Sequence, residues 1–299
     1  MSQKETNINS KEVSSLFTGR ELYKFLVRER NNEYYDNIKK YAECSELFNK
    51  TFKDIIRKIY RKVYPHYRNE YFFKNMLANK LYIKNSNLYP TTYLSEYPVG
   101  KSVADVIMVN HISRVFEIKT ELDTPERLDD QLADYRKLFE ELYVVTYETL
   151  REKYLKILPD DVGLYVATNR SALKLIKKAR HNAALETDAM ISFLRMSEME
   201  NIIQQTYSTL PVYKPIRKYR AYRLLLNLLP FNEFQTLWKE QVSQRVCLDN
   251  LELLKDGTIP CELSHWYLTK IKTKKEAEKL RLNLFKTVKN SEKLCTSHI

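Results

Sequence analysis

Apolar residues along this chain change their spacing twice, and the changes divide it into three stretches. From Glu21 to Tyr64 they recur at three to four residues, as in Leu22, Phe25 and Leu26, then Phe48, Phe52, Ile55, Ile56 and Ile59. That period predicts helices with one buried face. Pro65 interrupts, and 68–83 fits a further helix with Phe72, Met76 and Tyr82 among its apolar positions. From Thr92 to Thr120 the pattern shortens to runs of about six residues rich in β-branched side chains, parted by turn residues. The runs are 92–98, 103–109 and 115–120, with Gly100 and a turn around His111 between them, and they predict a β-meander. Thr124-Pro125 opens a helix expected to run to about Glu141. Residues 143–146 (YVVT) and 163–168 (GLYVAT) read as short internal strands, and a short lysine-rich helix is expected to close the stretch. Beyond Ala184 the helical period returns, in 190–199 and 222–229, with Pro211, Pro215, Pro230 and Pro260 marking breaks.

This order predicts an α/β chain with a mixed central sheet flanked by helices over 65–184. A helical N-terminal region, 1–64, and a helical C-terminal region, 185–299, enclose it; the first 15 residues are polar and expected to fray.

Composition narrows the function classes. With 4 glycines in the chain there is no GxxxxGK[ST] loop and no GxGxxG, so the usual backbone cradles for nucleotide phosphates are missing. A formal charge of +12 favours a polyanionic partner, or else a solubilising surface. Cys44, Cys247, Cys261 and Cys295 are scattered without a CxxC pair, which argues against a disulfide framework. Cys261 with His265, and Cys295 with His298, lie close enough to raise a mixed zinc site, the second pair at the chain end. No apolar signal segment and no membrane-length apolar run occur, which predicts a cytoplasmic protein without a membrane partner.

The chemistry concentrates in the meander. Asp105 stands in an otherwise apolar strand, and Glu117 and Lys119 lie two apart on the next, so both leave the same face. A three-residue turn at Asn110–Ile112 puts Asp105 opposite Glu117, with Cβ atoms roughly 4.5–5.5 Å apart. Two carboxylates at that separation can share a hard divalent ion, Mg2+ or Mn2+. Such an ion acidifies a bound water, which Lys119 would position or deprotonate. The alternative is a charged pair on the wet face of an edge hairpin. Gln131 and Tyr135, four apart on the following helix, share a face and could reach a phosphate or a bound water; a core tyrosine with an incidental glutamine is the plainer reading.

The ordered set Asp105, Glu117-Ile118-Lys119 and Gln131-x-x-x-Tyr135 resembles the PD-(D/E)xK nuclease superfamily in its QxxxY, RecB-like branch. Val99-Gly100-Lys101-Ser102-Val103-Ala104-Asp105, Glu117 to Asp123 and Gln131 to Tyr135 resemble the bacterial Sce7726 family over about 95–146. The resemblance implies a PD-(D/E)xK nuclease core and a metal-dependent deoxyribonuclease of bacterial or phage-related origin. Asp105, Glu117 and the Ile118 carbonyl would hold Mg2+ or Mn2+, Lys119 would be the catalytic lysine, and Gln131 and Tyr135 would line the substrate side. Glu70 is the best fit to a fourth, upstream acid, with Glu96 as rival or addition. Ala104 stands where the family pattern has proline. A catalytically silent nucleic-acid-binding or scaffold protein on the same fold, and a helical interaction protein with an accidental motif, remain as alternatives. A homodimer would let two centres cut two strands, although no interface signature is evident.

Three basic clusters suit a nucleic acid, DNA favoured over RNA. Arg57, Lys58, Arg61 and Lys62 share a helix, and Lys174, Lys177, Lys178 and Arg180 follow the last expected strand. Lys214, Arg217, Lys218, Arg220 and Arg223 occur with no acid between them, interleaved with Tyr219 and Tyr222 and preceded by Tyr213. Cations contact phosphates and tyrosines stack on bases, unless this is simply a solvated face with its tyrosines turned inward. Trp238 and Trp266 read as core anchors, and His111 as an incidental turn residue.

Overall fold

The computed structural model describes residues 19–28, 32–44, 47–64, 69–85, 90–121, 123, 125–168, 172–211, 214–245 and 251–288. The expected frayed start (1–15), the Thr124 cap, Tyr213 and the Cys295–His298 pair lie outside them. Contacts group the chain into two compact units, Met1–Ile83 with Cys247–Ile299, and Lys84–Val246.

The first unit is helical. It contains α1 (Gly19–Leu26), α2 (Asn32–Cys44), α3 (Phe52–Val63) and α4 (Glu70–Leu77), the last continuing as a π-helical segment, Ala78–Ile83. Thr51 caps α3 by accepting the Asp54 N–H at 3.2 Å. Phe25, Tyr34, Tyr35 and Phe52 pack as one aromatic cluster, whereas Phe48, expected on the buried face, precedes α3 and is exposed. The C-terminal segment closes on these helices: Phe52 N–H donates to Lys286 O at 3.0 Å, and the Asn283 amide donates to Leu26 O at 2.7 Å.

The second unit is built on one six-stranded sheet: β1 (Thr92–Val99), β2 (Ser102–Val109), β3 (Ser113–Ile118), β4 (Glu141–Tyr147), β5 (Gly163–Ala167) and β6 (Leu173–Lys177). The strands lie side by side in chain order. β1–β2, β2–β3 and β5–β6 are antiparallel, whereas β3–β4 and β4–β5 are parallel. Parallel neighbours need a crossover. α5 (Leu128–Arg136) supplies the first, and α6 (Arg151–Ile157) the second. Strand β4 is buried at every position, as a central strand covered on both faces must be. Then come α7 (Thr187–Phe193), α8 (Met196–Tyr207), α9 (Pro215–Asn227) and α10 (Phe231–Ser243). Their Met190, Ile191, Ile202, Tyr222, Leu226, Phe234 and Trp238 join Ile107, Val144 and Leu164 of the sheet in one apolar core. Trp238 is anchored by its indole N–H, which donates to Met190 O at 2.9 Å. The chain outside this unit resumes with α11 (Glu252–Lys255), α12 (Ser264–Lys270) and α13 (Lys274–Leu284), where Trp266 is buried.

Three expectations need correction here. The lysine-rich segment after β5 is a strand, β6, and not a helix. Leu173, Lys174 and Leu175 alternate with the period of a strand, and lysines suit the margin of a sheet. The helix after the β3 strand ends at Arg136 rather than near Glu141, because Glu141 already begins β4. The nuclease-type core is also not what the strands form. They make an open ladder of sequential neighbours with β1 and β6 at its two margins, not a closed core.

Candidate functional site

The turn between β2 and β3 is set by Asn110, whose side-chain oxygen accepts the Ile112 N–H at 3.0 Å, mimicking a backbone turn. Pairing runs from Val109↔Ser113 to Val106↔Phe116, so the next rung places Asp105 across from Glu117. Asp105 Oδ2 accepts the Ile118 N–H at 2.6 Å. Glu117 is 3% exposed, and its carboxylate is surrounded by donors. Oε1 accepts from Lys119 Nζ at 3.0 Å and from Gln131 Nε2 at 2.6 Å, and Oε2 accepts from the Tyr135 hydroxyl at 2.8 Å. Lys119 Nζ also donates to Gln131 Oε1 at 2.8 Å. The Lys119 backbone is held from β4, by Thr146 Oγ1 on its carbonyl at 2.7 Å and by Val145 O on its N–H at 2.9 Å.

Burial raises the Glu117 carboxyl above the ordinary carboxylate range, against the opposing pull of Lys119 and the hydrogen bonds from Tyr135 and Gln131. Burial, reinforced by the Glu117 charge, holds Tyr135 firmly as the phenol. Its single proton has two acceptors in range, Glu117 Oε2 and Val103 O at 3.0 Å, and can serve one at a time. Two members were not legible in the sequence. Tyr154 of α6 is fully buried, its hydroxyl makes no hydrogen bond among the described residues, and Asp123 and Glu117 add to the burial that raises it. Asp134 of α5 reaches the β1–β2 turn, accepting Lys101 N–H at 3.0 Å and Ser102 Oγ–H at 2.8 Å. Its spacing from Gln131 and Tyr135 (i, i+3, i+4) is the available signal that the three share a face.

Two further acids, Glu70 and Glu96, are expected at this site. Glu70 lies in the other unit, on α4, paired with Lys74. Glu96 stands across from Asp105 by the flanking pairs Ser95↔Val106 and Tyr97↔Ala104, but the pairing is interrupted there and its φ is 51°. That left-handed backbone is uncommon for a residue with a Cβ. Among the described residues no group of three His, Cys, Asp or Glu side chains is placed to hold a metal ion, Cys261 and His265 included. Each oxygen of the Glu117 carboxylate accepts from a protein donor.

The third basic cluster sits on and just before α9. Lys214, Arg217 and Arg220 are exposed and have no acidic partner among the described residues. Acids from neighbouring helices engage the other two: Lys218 pairs with Glu200 of α8, and Arg223 makes a two-pronged pair with Asp188 of α7, at 2.7 and 3.0 Å. Tyr219 is exposed, whereas Tyr222 is buried with its hydroxyl donating to Pro211 O at 3.3 Å. Of the other clusters, Arg57 and Arg61 flank buried Glu262 at 3.7 and 3.8 Å, and Arg180 pairs with Asp160 at 3.5 Å. No helix among the described residues is long and apolar enough to cross a membrane.

Comparison with known proteins identifies the chain differently from its motif. The family model described as Bacteriophage P4 protein cII matches residues 64–291, well over half of the chain. Protein cII of Enterobacteria phage P4 is 30% identical over 105 residues, which are 34% of this chain and 40% of that protein. The match thus spans less than half the length of that curated relative. A solved protein of unknown function from Silicibacter pomeroyi is similar at 13% identity, covering 42% of this chain and 86% of its own, with a TM-score of 0.28. The family match overturns the resemblance to PD-(D/E)xK nucleases and to the Sce7726 family. With it fall the nuclease core, the metal-dependent deoxyribonuclease activity and the assignment as a hydrolase, and no group of three metal-ligating side chains is found among the described residues. This chain belongs to the bacteriophage P4 protein cII family.

Proposed function

We propose that this chain is a non-catalytic nucleic-acid-binding protein, with DNA as the favoured partner, and that α9 engages the phosphate backbone. One observation carries the reading: Lys214 at the N-cap of α9 and Arg217 and Arg220 on it are exposed and lack acidic partners among the described residues. The formal charge of +12 supplies the long-range attraction such contacts need. The buried carboxylate cluster serves as the polar brace between hairpin and helix, because Glu117 accepts from Lys119, Gln131 and Tyr135.

The test is fluorescence anisotropy with labelled DNA across a salt series, on the full chain and on the triple variant Lys214→Gln, Arg217→Gln, Arg220→Gln. Each phosphate contact contributes about 0.9 to the slope of log K against log salt, so the variant should lose up to about 2.7. Unchanged affinity and slope in the variant would sink the assignment of α9. Incubation of the same DNA with magnesium should leave it intact. Cleavage that disappears in Lys119→Ala would refute the non-catalytic part.

A further inference from the structure

The cations of α9 are interleaved with apolar side chains that are exposed among the described residues. Ile216 is 92% exposed, Leu224 62%, Leu228 75% and Tyr219 43%. At 100° per residue, Ile216, Arg220 and Leu224, with Leu228 just past the helix end, step by 40° across about 120° of the outer side, Arg217 lies among them, and Tyr219 and Arg223 stand at the margin toward buried Tyr222 and Leu226. The inward positions are already occupied: Tyr222 and Leu226 are buried, and Lys218 and Arg223 are tied to α8 and α7. The outer face is therefore fixed in orientation and presents positive charge and apolar surface alternately.

Single exposed apolar residues are ordinary, but a row of them at helical spacing marks a binding surface. A second copy of the chain is a poor match, since two such faces would bring Lys214, Arg217 and Arg220 against their own kind. A duplex is a poor match too. It offers phosphates to the arginines but keeps the flat faces of its bases stacked inside, leaving Ile216, Tyr219 and Leu224 uncovered. An unpaired strand offers both: phosphates for Lys214, Arg217 and Arg220, and free base faces that stack on Tyr219 and cover the aliphatic side chains. We infer that α9 selects unpaired nucleic acid over duplex. This rests on the nucleic-acid-binding reading proposed above and names the form of the strand.

The experiment compares a labelled oligonucleotide with the same oligonucleotide annealed to its complement, at matched ionic strength, using the full chain. Single-strand binding should be at least about tenfold tighter than duplex binding. Tyr219→Ala should weaken the single strand about tenfold, the low end for removing one stacked base, and leave the duplex unmoved. Tyr219→Phe should retain the preference, because the ring and not the hydroxyl is used. Ile216→Ser with Leu224→Ser should narrow the ratio further. These side chains are exposed, and a circular-dichroism melt equal to wild type confirms that each variant folds. Equal affinity for both forms, or a ratio indifferent to Tyr219→Ala, overturns the inference while leaving the nucleic-acid reading in place. Binding to neither form overturns that reading and this one together. An acidic amphipathic peptide that saturates this face and is not displaced by the single strand overturns the inference in favour of a protein partner.

Discussion

If the Glu117 cluster braces the fold, removing its cation should unfold the protein rather than silence it. In Lys119→Met the aliphatic stem is kept and the ammonium is lost, leaving a carboxylate that is 3% exposed. Breaking a buried pair from one side destabilises by about 3–5 kcal/mol, because the remaining charge stays desolvated. Gln131 Nε2 and the Tyr135 hydroxyl still donate to Glu117, at 2.6 and 2.8 Å, which argues for the lower half of that range. At about 2–4 °C per kcal/mol for a unit of this size, the midpoint should fall by about 10 °C. The deficit should also depend on pH. Burial already raises the Glu117 carboxyl, and loss of Lys119 raises it further. A carboxyl raised in the folded state favours folding in acid and loses that contribution as pH rises through its folded value. The variant should therefore be nearest to wild type in acid and furthest from it at neutral pH. Replacing both partners, Glu117→Leu with Lys119→Met, should recover most of the loss, since no charge then remains buried. Urea denaturation followed by Trp238 fluorescence, read at several pH values, measures all three. A Lys119→Met protein as stable as wild type at neutral pH would refute the reasoning.

Other sites give independent checks. His265 is buried beside Lys74 and Lys270, and burial lowers its pKa to about 3. A lowered histidine contributes stability above the ordinary value near 6.5 that is lost as pH falls toward 3, so acid denaturation should flatten in His265→Leu; an unchanged acid limb counts against this. Tyr154→Phe removes a buried hydroxyl without a hydrogen bond among the described residues, and should leave stability equal or raise it by about 1 kcal/mol in urea titration. Gly100→Ala should destabilise by at least about 1–2 kcal/mol. Gly100 has a φ of 61°, and an added Cβ would meet Asp134 Oδ1 at 2.7 Å. Millimolar magnesium should leave the melting midpoint unmoved. A rise abolished by Asp105→Ala would show a site that the present arrangement of Glu117 does not predict.

The strands were legible wherever one face or both faces are buried. The apolar runs at 103–109 and 143–146 sit inside β2 and β4, and the three-residue turn at Asn110–Ile112 follows from an asparagine able to close it. Strand β6 was hidden because its lysines resemble the exposed side of a helix, and only its partner β5 decides between the two periods. The approach of Gln131 and Tyr135 to Glu117 could be read from i, i+4 spacing, but what they do there could not. The same residue types that line a metal centre can equally satisfy a buried carboxylate with protein donors. The acids facing Lys218 and Arg223 were equally out of reach, because Glu200 and Asp188 come from other helices. Likewise, the closing of Phe52 against Lys286 joins chain ends that no local period relates.

Helix α5 grips the sheet at two heights with one face. Asp134 holds the β1–β2 turn at Lys101 and Ser102, while Gln131 and Tyr135, one turn away or less, hold Glu117 on β3. Hydrogen exchange should then find these pieces opening together, since releasing the turn frees the helix that shields the carboxylate. Removing the Asp134 side chain, which touches neither Glu117 nor Lys119 by any hydrogen bond described above, should speed exchange at the Ile118 and Lys119 amides. The hairpin tip would thus act as a latch, and the protonation of Glu117 would report at a distance whether it is fastened.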